Sequence, residues 1–306
     1  MILDLNDTPD RTWMQGPADF SPPHTRRYVP CMTNGERVIL VLGGGGVKGV
    51  AHAGAWRALV ESGVEVAEIV GTSIGALVGA SIAGGSSPDE LAAQARALEK
   101  SDIVDINRWA LLPMGIRQVS VFRGEALRGY IERVLPVERW SDLAIPLTVN
   151  TVDLETGQTV WFGAGGRQDV PLAEAVYASA ALPVFYPPAE VNGMRLVDGG
   201  VMDTAPITKA ADRGADRIIA VHASAGREKD SRDTVDKGMV AIHHRVLDIM
   251  AYARREVVED SWLGPPVVKV EPEVSRYSTF DFDAVDYFLE EGYRAMREAL
   301  RRSWPG

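Results

Sequence analysis

The chain has 306 residues, 46% hydrophobic and 24% charged, an ordinary globular composition with length for one large domain or two small ones. Its 32 Lys and Arg against 42 Asp and Glu give a net charge of -10, which repels nucleic-acid phosphates and removes nucleic acid as an expected partner. The single cysteine, Cys31, leaves no intrachain disulfide and no cysteine-rich zinc site, and no window is apolar over the ~18 residues that a spanning helix needs.

Residues 1–36 mix acids, prolines and polar groups without an apolar run like that of a secretory leader, so an irregular arm is expected ahead of a single domain over 37–306. A cytoplasmic location is the default expectation, with peripheral contact at a membrane surface left open. Arg37–Leu42 is a short β-branched apolar run that suits a strand buried on both faces, and the cluster Gly43–Gly46 stops it. Val47–Ser62 has helical spacing and ends at Gly63, a C-cap. A second strand, Val66–Gly71, leads into TSIGALVGASIAGG, whose small residues suit a closely packed helix ended by Gly84 and Gly85. Pro88, Asp89 and Glu90 open another helix toward Lys100. Ser101–Val121 contains Trp109, Ala110, Leu111, Leu112, Pro113 and Met114, and reads either as a lid or lipid-facing flap or as a packed connection.

Gly124–Leu135 reads as helix, Ile145–Asp153 and Gln158–Phe162 as strands joined around Glu155-Thr156-Gly157, and Leu172–Ala180 as helix again. After the irregular Pro183–Pro188, a short strand at Met194–Val197 delivers Asp198-Gly199-Gly200. The remainder predicts a helix at Ile207–Arg213, a strand at Arg217–Ala223, a charged loop at Gly226–Asp236, a long helix over about Thr234–Asp260, a strand at Val267–Val270 and a terminal helix over Ala284–Arg302. Strands alternating with helices imply an α/β fold with a mainly parallel sheet covered on both faces, one antiparallel pair, and ligand sites at the carboxyl ends of the strands.

Three turns at such ends carry the chemistry. Gly71-Thr72-Ser73-Ile74-Gly75 follows an apolar strand and precedes a small-residue helix, the context in which G-x-S-x-G marks a nucleophile elbow. Gly44, Gly45 and Gly46, followed by Lys48 and Gly49, form a loop whose bare N–H groups can converge on an anion. It is no P-loop, because Lys48 precedes Gly49 and Val50 follows it. It does fit G-x-G-x-x-G, with Glu65 or Glu68 near the distance of a ribose-binding acid, so NAD stays open as a ligand, against the elbow standing where that acid belongs. The other anion is the oxyanion of an acyl-transfer intermediate. Lys48 then holds the loop, attracts an anionic head group, or is simply solvated. The third turn supplies Asp198. Serine commonly works with histidine as its base. Of His24, His52, His222, His243 and His244, only His222 competes, because it follows Asp198 in the order Ser, Asp, His and ends a strand.

GGGVKG, GTSIG and DGG, in that order, resemble the patatin-like phospholipase family, as do Ala178-Ser179-Ala180-Ala181-Leu182-Pro183 with Phe185 and Pro187, and the VMDTAPI stretch Val201–Ile207. The likeness spans about Val38–Ile207 and departs at Asp203-Thr204, where paired asparagines are common. It implies a three-layer α/β/α fold with a mainly parallel central sheet. It also implies a Ser/Asp dyad without histidine, formed by Ser73 and Asp198, an oxyanion loop at Gly44, Gly45 and Gly46, and supporting roles for Lys48, Gly49, Gly71, Gly75 and Gly199. The expected substrate is a lipid or other acyl ester, cleaved through an acyl-enzyme with no cofactor or metal. Lipid binding or signalling on the same scaffold is the alternative, with an NAD-binding module third. Head group, acyl length and oligomeric state are not legible.

Overall fold

The computed structural model describes residues 35–111, 117–223 and 231–304, so the expected arm lies, except for its last two residues, outside them. β1 (Val38–Leu42) is fully buried. Its side chains alternate between two cores, Val38, Leu40 and Leu42 on one face of the sheet and Ile39 and Val41 on the other. A 3₁₀ turn at Gly46–Val50 leads into α1 (Ala51–Glu61), and β2 (Glu68–Gly71) returns parallel to β1. Then come α2 (Ile74–Ala83) and α3 (Pro88–Ala97), the latter started by a capping box between Ser87 and Glu90. α4 (Lys100–Ile103), α5 (Glu125–Val134), β3 (Leu147–Asp153), β4 (Thr159–Gly163) and α6 (Leu172–Ala180) follow. The hairpin β5 (Ala189–Val191) and β6 (Met194–Asp198) precedes α7 (Ile207–Asp212) and β7 (Arg217–Val221). The chain ends with α8 (Ser231–Asp236), α9 (Met239–Asp260), β8 (Val267–Val270) and α10 (Val285–Ser303).

β3, β2, β1, β7 and β8 lie side by side and parallel. Helices α1 to α6 and α10 contribute to the core on one face of the sheet, and α7 with Val258 near the end of α9 covers the other. The expected three-layer α/β/α architecture is therefore present. α1 and α10 cross in close contact. A Cβ on Gly54 would lie 1.9 Å from the Leu289 carbonyl oxygen, and one on Gly292 would lie 1.9 Å from that of Ala51.

Two expectations need correcting. Three pairings are antiparallel rather than one: β3 with β4, β3 with β6, and β5 with β6. The unanticipated strand β5 exists because Asn192 and Gly193, at φ 49° and 80°, make the left-handed two-residue turn that closes a hairpin. The helix expected from Thr234 to Asp260 is split at Gly238, whose φ of 84° and ψ of -170° no helix contains.

The antiparallel β6 positions the site. On one edge of β3, Val149 pairs with Gly71 at the end of β2, and two residues later Thr151 pairs with Asp198 at the end of β6. The opposite edge of the same residues is filled by β4. β2 and β6 therefore share one side of β3 and point at each other, their ends separated by about 7 Å at strand rise.

Candidate active site

Ser73 occupies that gap. It stands two residues after Gly71, the last residue of β2, and its φ of 56° and ψ of -124° lie in a region that costs an L-residue about 1–3 kcal/mol. The flanking glycines impose it. A Cβ on Gly71 would fall 2.6 Å from Ala76 Cα, and one on Gly75 would fall 2.0 Å from the Leu42 carbonyl oxygen, so α2 can press onto the ends of β1 and β2 only without those side chains. The Ser73 N–H donates to Ser179 Oγ at 2.8 Å, tying the elbow to the end of the buried helix α6.

Asp198 is 3% exposed. Its Oδ1 accepts the Gly200 N–H at 2.7 Å, and the Ser73 side chain, which lines the same cavity, is near enough to favour its ionised form. Burial pushes this carboxyl up to about 6, against the opposing effects of the neighbouring Ser73 side chain, the Gly200 N–H and His244. A free aspartate is a poor proton acceptor for an alcohol; this one is a considerably better one.

The glycine loop passes the same point, since a Cβ on Gly44 would lie 3.5 Å from Ser73 Cβ. The three glycines are not equivalent. The Gly44 N–H is engaged with the Thr204 carbonyl at 2.9 Å, whereas the N–H groups of Gly45 and Gly46 take no backbone partner among the described residues. Val47 N–H donates to the Thr279 carbonyl at 2.8 Å, which anchors the loop from a segment beyond β8. Gly49 and Gly199 serve packing: Cβ atoms there would meet Ile74 Cγ2 at 2.2 Å and Asn150 Cγ at 2.3 Å. Lys48 is 2% exposed, which removes the solvated reading, and it lines the same cavity as Ser73. Thr204, at the Asp203-Thr204 departure, has a structural task in holding Gly44.

The histidine and dinucleotide readings separate from this cluster. His222 does follow β7, but its Nε2 lies 3.7 Å from Glu259 of α9. Its imidazole is pushed down to about 3, first by burial and then by Arg255 and Lys269. Neither Ser73 nor Asp198 is among its polar neighbours. His52 is buried, with Nε2 2.7 Å from the Gly43 carbonyl, and burial lowers it to about 4. His243 is exposed on α9, and His24 lies outside the described residues. Glu68 cannot meet a ribose at the carboxyl end, because it opens β2 at the far end of the sheet and is bound there by Arg37, Arg213 and Thr148. Among the described residues no cluster of three or more His, Cys, Asp or Glu is placed to hold a metal ion.

An apolar cavity is lined by Ser73 and Asp198 together with Leu77 of α2, Leu91 and Ala95 of α3, Leu98, and Leu127 and Val134 of α5. Six contributors are not marked as such by the sequence. Ser179 stands there only as part of a motif; His244, Leu247 and Ala251 read as packing or surface on a long helix; Thr279 and Phe280 carry no signal at all. His244 Nε2 lies 3.1 Å from Thr279 Oγ1, its Nδ1 lies 3.5 Å from Asp248, and its ring meets Phe185 edge-on at 5.7 Å. In the 101–121 segment, Ile106 bridges to Phe122 and Trp109 is 65% exposed, while Leu112, Pro113 and Met114 lie outside the described residues.

A family model described as patatin-like phospholipase matches residues 40–211. An uncharacterized NTE family protein of Mycobacterium tuberculosis is 35% identical over 201 residues, which cover 66% of this chain and 53% of that protein. Human patatin-like phospholipase domain-containing protein 6 is 28% identical over 287 residues, covering 85% of this chain and 20% of that one. The chain thus spans about half the length of the mycobacterial relative and a fifth of the human one. Among solved structures, VipD from Legionella pneumophila aligns with a TM-score of 0.48 at 13% identity, over 87% of this chain and 67% of that chain.

Proposed function

This chain belongs to the patatin-like phospholipase family, and from that premise and the local geometry we propose that it is a serine acyl hydrolase acting on ester-linked fatty acyl chains of phospholipids or lysophospholipids. The observation that carries the reading is the juxtaposition of the strained Ser73 with the buried carboxylate of Asp198, brought together by the facing ends of β2 and β6 on one apolar cavity. Ser73 Oγ attacks the ester carbonyl carbon while Asp198 takes its proton. The carbonyl oxygen becomes an oxyanion held by the N–H groups of Gly45 and Gly46, with Gly44 shaping the loop. The tetrahedral intermediate collapses, the C–O bond to the alcohol breaks, and Asp198 returns the proton to the leaving oxygen. Water then attacks the acyl-enzyme, gives its proton to Asp198, and releases the carboxylic acid as Ser73 recovers its hydrogen.

The remaining features fit this sequence. The cavity, lined largely by apolar side chains, receives an acyl chain whose carbonyl sits at Ser73. A carboxyl held near 6 is mostly ionised at neutral pH yet retains affinity for a proton, so kcat/KM should fall as pH drops through about 6. Ser73→Ala and Asp198→Asn should each lower turnover of p-nitrophenyl acyl esters by ~10⁴-fold or more, and His222→Ala should leave it within a small factor. Retained turnover in either of the first two removes that residue from the mechanism. Release of free fatty acid from a panel of phospholipids and lysophospholipids identifies the substrate.

A further inference from the structure

The cavity at Ser73 has walls of two kinds. α9 and the segment after β8 bring His244, Asp248 and Thr279 to it, whereas α2, α3 and α5 bring Leu77, Leu91, Ala95, Leu127 and Val134. A leaving alcohol finds polar partners in the first set, and a hydrocarbon chain belongs with the second. α2 also sets a scale. Ser73 at its N-cap, Leu77, Val78 and Ser81 line the cavity at i, i+4, i+5 and i+8, so one face of this helix leads from the nucleophile to Ser81. Eight residues of helix span about 12 Å. Just past Ser81 the three helices close together. A Cβ on Gly84 would lie 2.5 Å from Pro136 Cγ, which sets the end of α2 against the chain leaving α5. Gln94 Nε2 of α3 donates to the Val134 carbonyl of α5 at 3.4 Å, and both residues line the cavity. Gln94 and Val134 are half-buried, so their bridge is a bar across the far end with solvent behind it.

We propose that Ser81 and the Gln94–Val134 bridge form a stop for the acyl chain, which makes medium-length chains of about ten carbons the preferred substrates. A staggered alkyl chain with bonds near 1.52 Å and angles near 111° advances about 1.25 Å per carbon, so the ~12 Å from Ser73 to Ser81 takes a chain of that length. Up to the stop, each methylene leaves water for an apolar wall and strengthens binding about fourfold. Beyond it, a further methylene meets the Gln94 amide or forces the chain to buckle, and the gain ends. Ser81 is 2% exposed, with its Oγ turned back onto the Leu77 carbonyl at 3.2 Å, so it offers the chain end no free hydroxyl and leaves room where a larger side chain would fill the cavity.

The inference rests on the hydrolase reading for the identity of the chain, and the test separates the two. kcat/KM is measured on p-nitrophenyl esters from butyryl to palmitoyl for the full-length protein and for its Gln94→Ala and Ser81→Leu variants, with urea midpoints as the check on folding. In parallel, calorimetry follows the binding of saturated fatty acids of the same lengths to Ser73→Ala. In both series the values should climb about fourfold per methylene as far as decanoyl and then level or fall. Gln94→Ala removes the bar and should carry the climb to longer chains, whereas Ser81→Leu fills the end and should bring the break down by about two carbons. The readout is the position of the break within each variant, which a general loss of activity does not move. A climb that continues unbroken to palmitoyl overturns the proposal, as does a break that stays in place in folded forms of both variants. If Ser73→Ala binds the acids with the expected break and no ester is cleaved, the stop stands and the hydrolase reading falls. If esters are cleaved without a break, the hydrolase reading stands and the stop falls.

Discussion

Glu68 opens β2 and Asp198 faces the other end of the same strand; both carboxylates are withdrawn from water, yet their surroundings have little in common. Glu68 is fully buried and satisfied. Arg37 and Arg213 donate to it at 2.7 Å each, with a further bond from Arg213 at 3.1 Å and one from Thr148 at 2.9 Å. Asp198 accepts one backbone N–H, that of Gly200, and has only the nearby Ser73 side chain and the influence of His244 besides. One end of the strand is built to hold a fixed charge and the other to let a proton come and go. Under-satisfaction at the second end is the property a general base requires.

The largest effect that tests this contrast is on stability at the Glu68 end. Glu68→Ala removes the buried acceptor of four hydrogen bonds and leaves Arg37 and Arg213, each about a third exposed, without their shared partner, a loss of about 2–3 kcal/mol once solvent screening of the arginines is allowed for. The urea midpoint should fall accordingly, while turnover per folded molecule stays near wild type. A midpoint within error of wild type would mean that the ion network is incidental to the fold.

The opposite sign is expected at the other end. With a native value near 6 and an unfolded one near 3.8, Asp198 binds more protons in the folded state between those two pH values. Its contribution is therefore complete below about pH 3.8 and is lost as pH rises through 6, after which ionising it costs the fold up to about 3 kcal/mol. Asp198→Asn should remove turnover and, at pH 8, raise the melting temperature over wild type, with the gain vanishing toward pH 4. A variant less stable than wild type at pH 8 would place the carboxylate with Glu68 as a structural charge.

A smaller loss is expected at the elbow. Ser179→Ala strips the acceptor from the buried Ser73 N–H, an unsatisfied donor worth about 1–3 kcal/mol, and relaxes the turn that holds Ser73 Oγ toward Asp198. Turnover should drop with little change in KM, and Ser179→Thr should recover part of it. Unchanged kcat in the alanine variant would show that the glycines alone impose the elbow.

How much of this was legible follows from the range of the forces involved. The elbow and the glycine loop are local: Gly71, Gly75 and Gly44–Gly46 are demanded by backbones meeting within a few residues of each strand end, and the sequence pattern carries that directly. The meeting of Ser73 and Asp198 is not local. It depends on β6 running head-on to β2 along β3, and that direction is set by the Asn192-Gly193 turn, a two-residue hairpin signal hidden between proline-rich and glycine-rich stretches. His222 misled for the same reason. Chain order made it a candidate base, but its ring engages α9, an element whose path across the sheet no spacing reveals. Glu68 had the right distance for a ribose ligand and the wrong end of the strand.

His244 provides the finest test, because its charged form acts on Asp198. It reaches the site from α9 with Asp248 on its own helix, Thr279 on the segment beyond β8, and Asp198 across the cavity as its polar surroundings. Its positive charge holds the Asp198 carboxyl lower than burial alone would set it. His244→Gln keeps a hydrogen-bonding side chain for Thr279 and removes the charge, so the acid limb of the kcat/KM profile should move to higher pH by a fraction of a unit, with kcat at pH 8 nearly unchanged. A shift to lower pH would contradict the sign of this interaction. Loss of activity at all pH values would instead make His244 a participant in the chemistry, and the contrast between the two ends of β2 would then have to include a third group.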